Sequence, residues 1–514
     1  MIKKYTYGTP FPTESVTEQF AASEGMPEFG TIHLQEGFSF TYRLRDEDIV
    51  YGLGEANRGI NKRGYQYISN NSDNAHHHED VYSLYASHNF MIVSGEQTFG
   101  LYFDYPSTLT FDVGYTRSDE LHIFCDRADL DLYVITGENP YDITKQFRKM
   151  IGRSYIAPKF AFGFGQSRWG YKTPEDFVTV AEKYRENHIP IDMVYMDIDY
   201  MDNYKDFTVN EEFRDFPQYV ENLKKDHIRL VPIIDAGVKI EEGYDVYEEG
   251  VEKNYFCKRQ DGSDFVAAVW PGYTHFPDVL NPDARKWFGE KYKRLTDAGI
   301  EGFWNDMNEP AIFYSEKHLK EVFEKMEDYK KMNLDVNTFF EMTGMIGSIC
   351  NNPEDYASFY HNYKGKRYRH DQVHNLFGYY MTRSASEAFE RYVPEKRILL
   401  FSRASYIGMH RFGGIWQGDN ASWWSHLKMN VKMMPSLNMC GFLYTGADVG
   451  GFGADATEDL VLRWLEFAVF TPLLRNHSAR GTRRQESTFF FLIIKISISD
   501  VSHPMYHKLS VHTM

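Results

Sequence analysis

FAFGFGQSRWGYKTPEDFVTVAEKYRENHIPIDMVYMDI, residues 160–198, reads as one complete strand–helix–strand unit. The apolar run FAFGFGQ is followed by the helical stretch TPEDFVTVAEKYRENH and then by a second apolar run, IDMVYMDI. Short apolar runs bounded by polar residues read as buried strands, and the stretch between them has the length and amphipathic spacing of a helix. The alternation continues downstream. IRLVPIID, GFWNDM, RILLFS, GFLYTGAD and FTPLLRNH are further apolar runs, with a short GGIWQG after RILLFS, and PDARKWFGEKYKRLTDAG is another helical stretch among them. About eight strand candidates alternating with helices predict an α/β chain with a (β/α)8 TIM barrel over residues 146–486. A doubly wound sheet would carry a Gly-rich phosphate turn after its first strand, and GFGQSRWGY is not one.

Upstream the texture changes. GFSFTYRL, NFMIVSG, TFGLYFDYP, LTFDVGY, LHIFCD and LDLYVITG are short, aromatic or β-branched, and punctuated by Gly, Asp and Pro. They predict an N-terminal β-sandwich over residues 1–145. One polar stretch, YQYISNNSDNAHHHEDVYSLY (65–85), interrupts that rhythm and reads as a long loop with a job. Two long connections, about 201–270 and 314–396, read as barrel insertions that wall a pocket. The tail, residues 487–514, is β-branched and Ser/His-rich where a closing helix is expected.

The 514 residues suit a barrel plus a companion domain. A net charge of −17 argues against nucleic acid and against anionic membranes as partners, because both demand basic patches. The four cysteines, Cys125, Cys257, Cys350 and Cys440, are far apart and form no CxxC pair, which suggests a reducing compartment. The N-terminus has lysines but no apolar stretch behind them, and the longest apolar run near the C-terminus, FFFLII, is too short to span a bilayer. A cytoplasmic location is the expectation. Aromatic residues make up 16% of the chain, which fits either a large core or a cleft where flat rings stack on sugars.

Acidic residues cluster where the barrel's upper rim should be. GFWNDMNEP (302–310) ends a strand in Asp306 and Glu309, and RFGGIWQGDN (411–420) ends another in Asp419, with Arg411 just upstream. Two carboxyls facing one another across a glycosidic bond can cleave it. A separation of roughly 5–5.5 Å gives retention, and a wider one inversion. MDIDYMD supplies Asp197, Asp199 and Asp202, which lack the glycine and closing glutamate of a calcium loop. Sugar hydroxyls are the better partner for such carboxylates. RNHSARG places His477 at the rim, and the HHH run at 76–78 reads as loop packing, so no metal and no cofactor are expected.

WNDMNEP resembles the nucleophile segment of glycoside hydrolase family 31 α-glucosidases, and IWQGDN resembles that family's acid/base segment. SRWGY, MDIDYMD, VWPG, GADVGGF and RNHSARGT match in order around them. The resemblance implies an exo-acting retaining α-glucosidase acting on α-glucosidic oligosaccharides, with Asp306 as nucleophile and Asp419 as general acid/base. It further implies that Asp197, Arg403, Arg411 and His477 hold the terminal glucose. Ile198, Trp270, Trp304, Met307, Trp416 and Phe452 would line the pocket, with Asp73 reaching over from the β-domain. Trp169, just after the first barrel strand, would sit where the leaving sugar lies; members with Trp there tend toward α-1,6 bonds. A DMNE rather than a DFGE-like segment implies glucose. Members continue after the eighth strand with a closing helix and further β-domains, so the tail reads as a truncated or frameshifted end. Transglucosylation at the same site, or a catalytically weak carbohydrate-binding remnant, remain open alternatives.

Overall fold

A computed structural model describes residues 1–75 and 77–486. The expectation for the tail after residue 486 lies outside the described residues.

The N-terminal part is a sandwich of two antiparallel five-stranded sheets. One sheet runs in the order Ile2–Tyr7, Leu130–Thr136, Thr98–Asp104, Phe90–Ser94, Ile49–Gly52. The other runs Thr31–His33, Phe38–Arg43, Glu120–Cys125, Leu109–Val113, Tyr65–Ser69. In the second sheet side chains alternate: Phe38, Phe40 and Tyr42 are buried, as are Leu121, Ile123 and Cys125 across from them. That period of two gives one wet face and one core face. Thr98–Asp104 instead buries nearly every residue. Its other face is covered by the helix Pro140–Ile151, whose Phe147 ring stacks on Phe90 at 3.6 Å between centroids. Asn139 caps that helix by accepting from the Asp142 N–H, and Pro140 opens it. The helix starts before residue 145 and runs on to Ile151. Tyr65–Ser69, read from sequence as the start of a loop, is a strand of the second sheet, because its pairing partner Leu109–Val113 is remote in sequence.

The second part is the expected barrel. Parallel strands follow in the order Phe164–Gln166, Met193–Met196, Arg229–Ile234, Gly302–Asn305, Leu399–Ser402, Gly414–Trp416, then the pair Thr445–Gly446 and Asp448–Val449, then Leu474–Asn476. The seventh strand is broken at Ala447. Its first half pairs with Gly414–Trp416 and its second half with Leu474–Asn476. Leu474–Asn476 pairs in turn with Phe164–Gln166, so the sheet closes on itself. Every residue of Met193–Met196, Gly302–Asn305 and Leu399–Ser402 is buried, as parallel strands covered on both faces require.

The two long connections differ in part from the expectation. Within 201–270, Phe216–Lys225 is the ordinary barrel helix leading into the third strand; it buries Phe216, Val220 and Leu223. Within 314–396, Phe377–Tyr392 plays the same part before the fifth strand. True insertions occupy the remainder and meet one another. Lys258–Arg259 from the first pairs with Phe359–Tyr363 from the second, which pairs with Lys366–Arg369. All four cysteines are free, Cys350 alone being exposed. Among the described residues no helix is long and apolar enough to cross a membrane.

Candidate active site

Barrel strands deliver their last residues to one rim, and here those residues carry charge. Asp197, Asp235, Asp306, Arg403 and His477 each directly follow a strand, and Asp419 follows Trp416 by three residues. The ladder continues through them: Asp306 donates its N–H to the Ile234 carbonyl at 3.0 Å, and Arg403 donates to the Asn305 carbonyl at 3.0 Å. Backbone pairing therefore fixes where these side chains start.

Arg403 is the hub. Its guanidinium is 1% exposed and lies 3.0 Å from Asp306 Oδ1, 3.5 Å from Asp419 Oδ2 and 3.5 Å from Asp73 Oδ1. It also forms a two-pronged pair with the fully buried Glu309, at 2.9 Å on each arm. The Tyr85 ring packs against its face at 4.6 Å. One cation faces four carboxylates, of which Glu309 is fully buried while Asp73, Asp306 and Asp419 reach the pocket surface. Burial pushes Glu309 up to about 7. Asp419 is driven well above the carboxylate range by burial, helped by the negative charges of Asp306, Asp448 and Asp73 and opposed by Arg403. Asp306 is also raised by burial, but Arg403 and the Met307 N–H, 2.7 Å from Oδ1, both favour its ionised form. Burial thus raises both carboxyls, Asp419 well above the carboxylate range, while Arg403 and the Met307 N–H work against the rise at Asp306.

Tyr85 is held by a close approach. Gly418 has φ +67°, and a Cβ there would lie 2.0 Å from the Tyr85 ring. Only glycine lets the ring slide between Arg403 and the backbone that presents Asp419.

Across the mouth, Asp197 Oδ2 lies 3.7 Å from His477 Nε2, and its Oδ1 accepts the Ile198 N–H at 2.7 Å. Burial raises Asp197 to about 7, so it titrates around neutral pH, and lowers His477 well below the usual imidazole range, so that ring stays uncharged there. His477 is sandwiched between the stacked Phe452 ring at 4.8 Å and the edge-on Trp304 at 5.5 Å. Trp304 meets Trp416 at 5.5 Å and donates to the Met196 carbonyl. Below this floor, Arg475 and Asp448 form a wholly buried pair at 2.6 Å. The Arg475 guanidinium lies 4.6 to 5.5 Å from the Trp304, Trp416, Tyr195 and Phe401 rings.

Residues 154–499 match the glycosyl hydrolases family 31 TIM-barrel domain, and residues 11–112 match the N-terminal galactose mutarotase-like domain of the same family. The chain belongs to glycoside hydrolase family 31. It is 36% identical over 467 residues to a Bacillus thermoamyloliquefaciens protein named alpha-glucosidase 2, covering 89% of this chain and 55% of that one. The chain thus spans little more than half of that relative's length. It is 26% identical to the alpha-glucosidase of Saccharolobus solfataricus, covering 99% of this chain and 72% of that protein. Its fold matches a solved Flavobacterium johnsoniae family 31 dextranase with a TM-score of 0.79 at 22% identity, covering 94% of this chain and 56% of the other.

Most of the family's expected site residues converge on the Arg403 hub or the His477 wall. Met307 is buried and its Sδ lies 3.3 Å from Arg403 Nη2. Trp270 forms a rim edge with Trp169 at 5.1 Å and Phe313 at 4.8 Å. Arg411 does not join them. It sits in the turn Met409–Arg411 that precedes its strand, so it is at the opposite end of the barrel. Its guanidinium donates to the carbonyls of Glu14, Ser15 and Ile151 and contacts the Tyr379 hydroxyl, clipping the N-terminal segment to the barrel. Among the described residues, the arginine that pairs with Asp73, Asp306, Glu309 and Asp419 is Arg403. His77 and His78 pack on His426 and Trp423 respectively, as loop packing predicts for that run. Sequence reading missed Tyr85, the pairing of Glu309 with Arg403, and the Arg475–Asp448 pair. Glu309, Asp448 and Arg475 stand in NDMNEP, GADVGG and RNHSARG, but nothing local in those segments tells which partner each one meets.

Asp197 yields a pH-dependent prediction. A carboxyl at about 7 in the folded chain and about 4 unfolded keeps its proton on folding over that interval, so its contribution is favourable below about pH 4 and is lost as pH rises through 7. Asp197→Asn removes this cost. Relative to the parent, the variant should gain about 2 kcal/mol of stability between pH 5.5 and pH 8. Thermal melts of both proteins at the two pH values check this; an unchanged difference in Tm would contradict it.

Proposed function

We propose that this chain is an exo-acting retaining α-glucosidase that removes terminal α-glucose from small α-glucosides of the isomaltose and maltose type. The observation that carries the reading is the buried Arg403 guanidinium, which contacts both Asp306 and Asp419 at one barrel mouth. The family membership and the names of the relatives support it. In the first step the Asp306 carboxylate attacks C1 of the glucose while Asp419 gives its proton to the leaving oxygen. In the second, Asp419 takes a proton from water, which attacks C1 and frees Asp306. Asp197, Asp73, Arg403 and His477 hold the glucose hydroxyls, with Ile198, Trp304, Met307, Trp416 and Phe452 as walls. Among the described residues the Trp416 and Trp169 indole N–H groups are buried without an acceptor, which suits a ligand rich in hydroxyls.

Trp169 sets the linkage preference in this reading. Its backbone is tied to the eighth strand's end through the Ser478 carbonyl at 3.0 Å, and its ring leans on Trp270, so the indole is a fixed wall. An α-1,6 bond has an extra rotatable torsion that lets the leaving glucose swing around such a wall. An α-1,4 bond does not. The parent should prefer isomaltose, and Trp169→Tyr should move the kcat/KM ratio toward maltose by roughly 10–200-fold. The test is glucose release from both disaccharides by both proteins. A parent that prefers maltose, or a ratio that does not move, would overturn the linkage assignment, and release from neither would overturn the activity.

A further inference from the structure

Three buried histidines form a continuous chain that the reaction above does not use. His361 Nε2 meets His370 Nδ1 at 2.9 Å, and His370 Nε2 meets His374 Nδ1 at 2.8 Å. At one end His374 Nε2 meets the backbone carbonyl of Asn71 at 2.7 Å. At the other, His361 Nδ1 meets Asp278 Oδ1 at 2.7 Å, while Asp278 Oδ2 accepts the Asn362 N–H at 2.7 Å. The three histidines, Asn71 and Asp278 are at most 4% exposed.

Both ends of this chain are acceptors, and that fixes its protons. A carbonyl cannot donate, so His374 carries its proton on Nε2 and presents a bare Nδ1. His370 must then donate from Nε2 and accept at Nδ1, and His361 likewise. Four contacts need four protons, but three neutral imidazoles hold three. The fourth must lie between His361 Nδ1 and Asp278 Oδ1. Cys257 does not remove this need. Its Sγ is 3.5 Å from Nδ1 and donates toward the Pro277 carbonyl, and a thiol proton would still leave the nitrogen and the carboxylate facing each other bare.

The chain also has a mechanical address. Asp278 lies at the end of the connection that carries the first insertion, just before the helix Pro282–Lys291; the three histidines belong to the second insertion, and Asn71 to the sandwich loop that carries Asp73. Tyr356 packs edge-on against His374 at 4.7 Å and donates its hydroxyl to the carbonyl of Pro310, which follows Glu309. Phe359 stacks on His370 at 4.3 Å. One polar thread therefore joins the loop of Asp73 to the second insertion and to the end of the connection that carries the first, with the nucleophile segment alongside.

We propose that His361, His370 and His374 are positioning residues: with Asp278 they form a one-proton-excess imidazole chain that holds the Asn71–Asp73 loop over the glucose pocket. The effect on turnover rests on the α-glucosidase reading; the proton count does not.

Neutron diffraction on the deuterium-exchanged full chain counts the protons directly. Four occupied contacts are expected, including the one between His361 and Asp278; a bare contact there, or a metal ion in place of the proton, overturns the count. For positioning, His374→Leu removes the donor to Asn71, whereas His374→Gln can still offer an N–H. With isomaltose, His374→Leu should raise KM roughly 10- to 100-fold with kcat changed far less, and His374→Gln should restore most of the loss. If His374→Leu does not fold, Asp278→Asn, whose amide can fill the fourth contact, is compared with Asp278→Ala, which cannot. An unchanged KM in His374→Leu, or equal KM values for the Asp278 variants, overturns the positioning role. A parent inactive on every α-glucoside overturns the hydrolase reading instead and leaves the neutron result standing.

Discussion

Asp306→Asn should lower kcat by about 10⁴- to 10⁶-fold, the scale on which loss of a nucleophile acts. Two groups favour a negative charge on that residue against the effect of burial. Arg403 approaches it to 3.0 Å and the Met307 N–H to 2.7 Å, contacts that an amide meets with a far weaker dipole and one wrong donor. Substrate should still bind, so the loss should appear in kcat rather than in KM. The smaller variant Asp306→Gly leaves room for azide. With α-glucosyl fluoride it should form β-glucosyl azide, because azide then attacks the face the carboxylate occupied. Mass spectrometry and NMR of the product check this. The same β anomer arising from an Asp419 variant instead would exchange the two roles.

Asp419→Ala should show the second large effect. General acid–base help is worth about 10²- to 10⁴-fold, and its loss should depend on the leaving group. Release of p-nitrophenol, which departs without a proton, should suffer far less than release of glucose from isomaltose. Burial and the neighbouring negative charges keep Asp419 protonated well above the ordinary carboxylate range, so the parent's pH–rate profile should fall on its basic side as that proton is lost. In Asp419→Ala the basic limb should flatten. A basic limb that survives the substitution would place the acid elsewhere. Azide should rescue this variant with the α anomer, since it would attack the glucosyl-enzyme.

The barrel was legible because parallel strands buried on both faces leave continuous apolar runs, and their C-terminal ends leave charge. Asp197, Asp306, Asp419 and His477 were visible for that reason. Arg411 was misplaced by ignoring the same rule. It precedes a strand and so belongs to the other end of the barrel, while Arg403, directly after RILLFS, belongs to the mouth. The helices Phe216–Lys225 and Phe377–Tyr392 were absorbed into insertions because nothing local separates a barrel helix from the irregular chain beside it; only the strand that follows does. Arg475 and Asp448 were invisible as a pair. Their partnership depends on adjacent strands, and the rings around Arg475 come from four different segments. The imidazole chain was not legible, because its terminal partners, Asn71 and Asp278, lie about 300 and 80 residues away from the histidines they meet.

The most direct measurement is the anomer of the first glucose released from p-nitrophenyl α-glucoside, followed by ¹H NMR faster than mutarotation. A nucleophile and an acid sharing Arg403 predict two displacements at C1, so α-glucose should appear first and the β form should grow in later. β-Glucose appearing first would mean a single displacement by water, and would contradict the role assigned to Asp306.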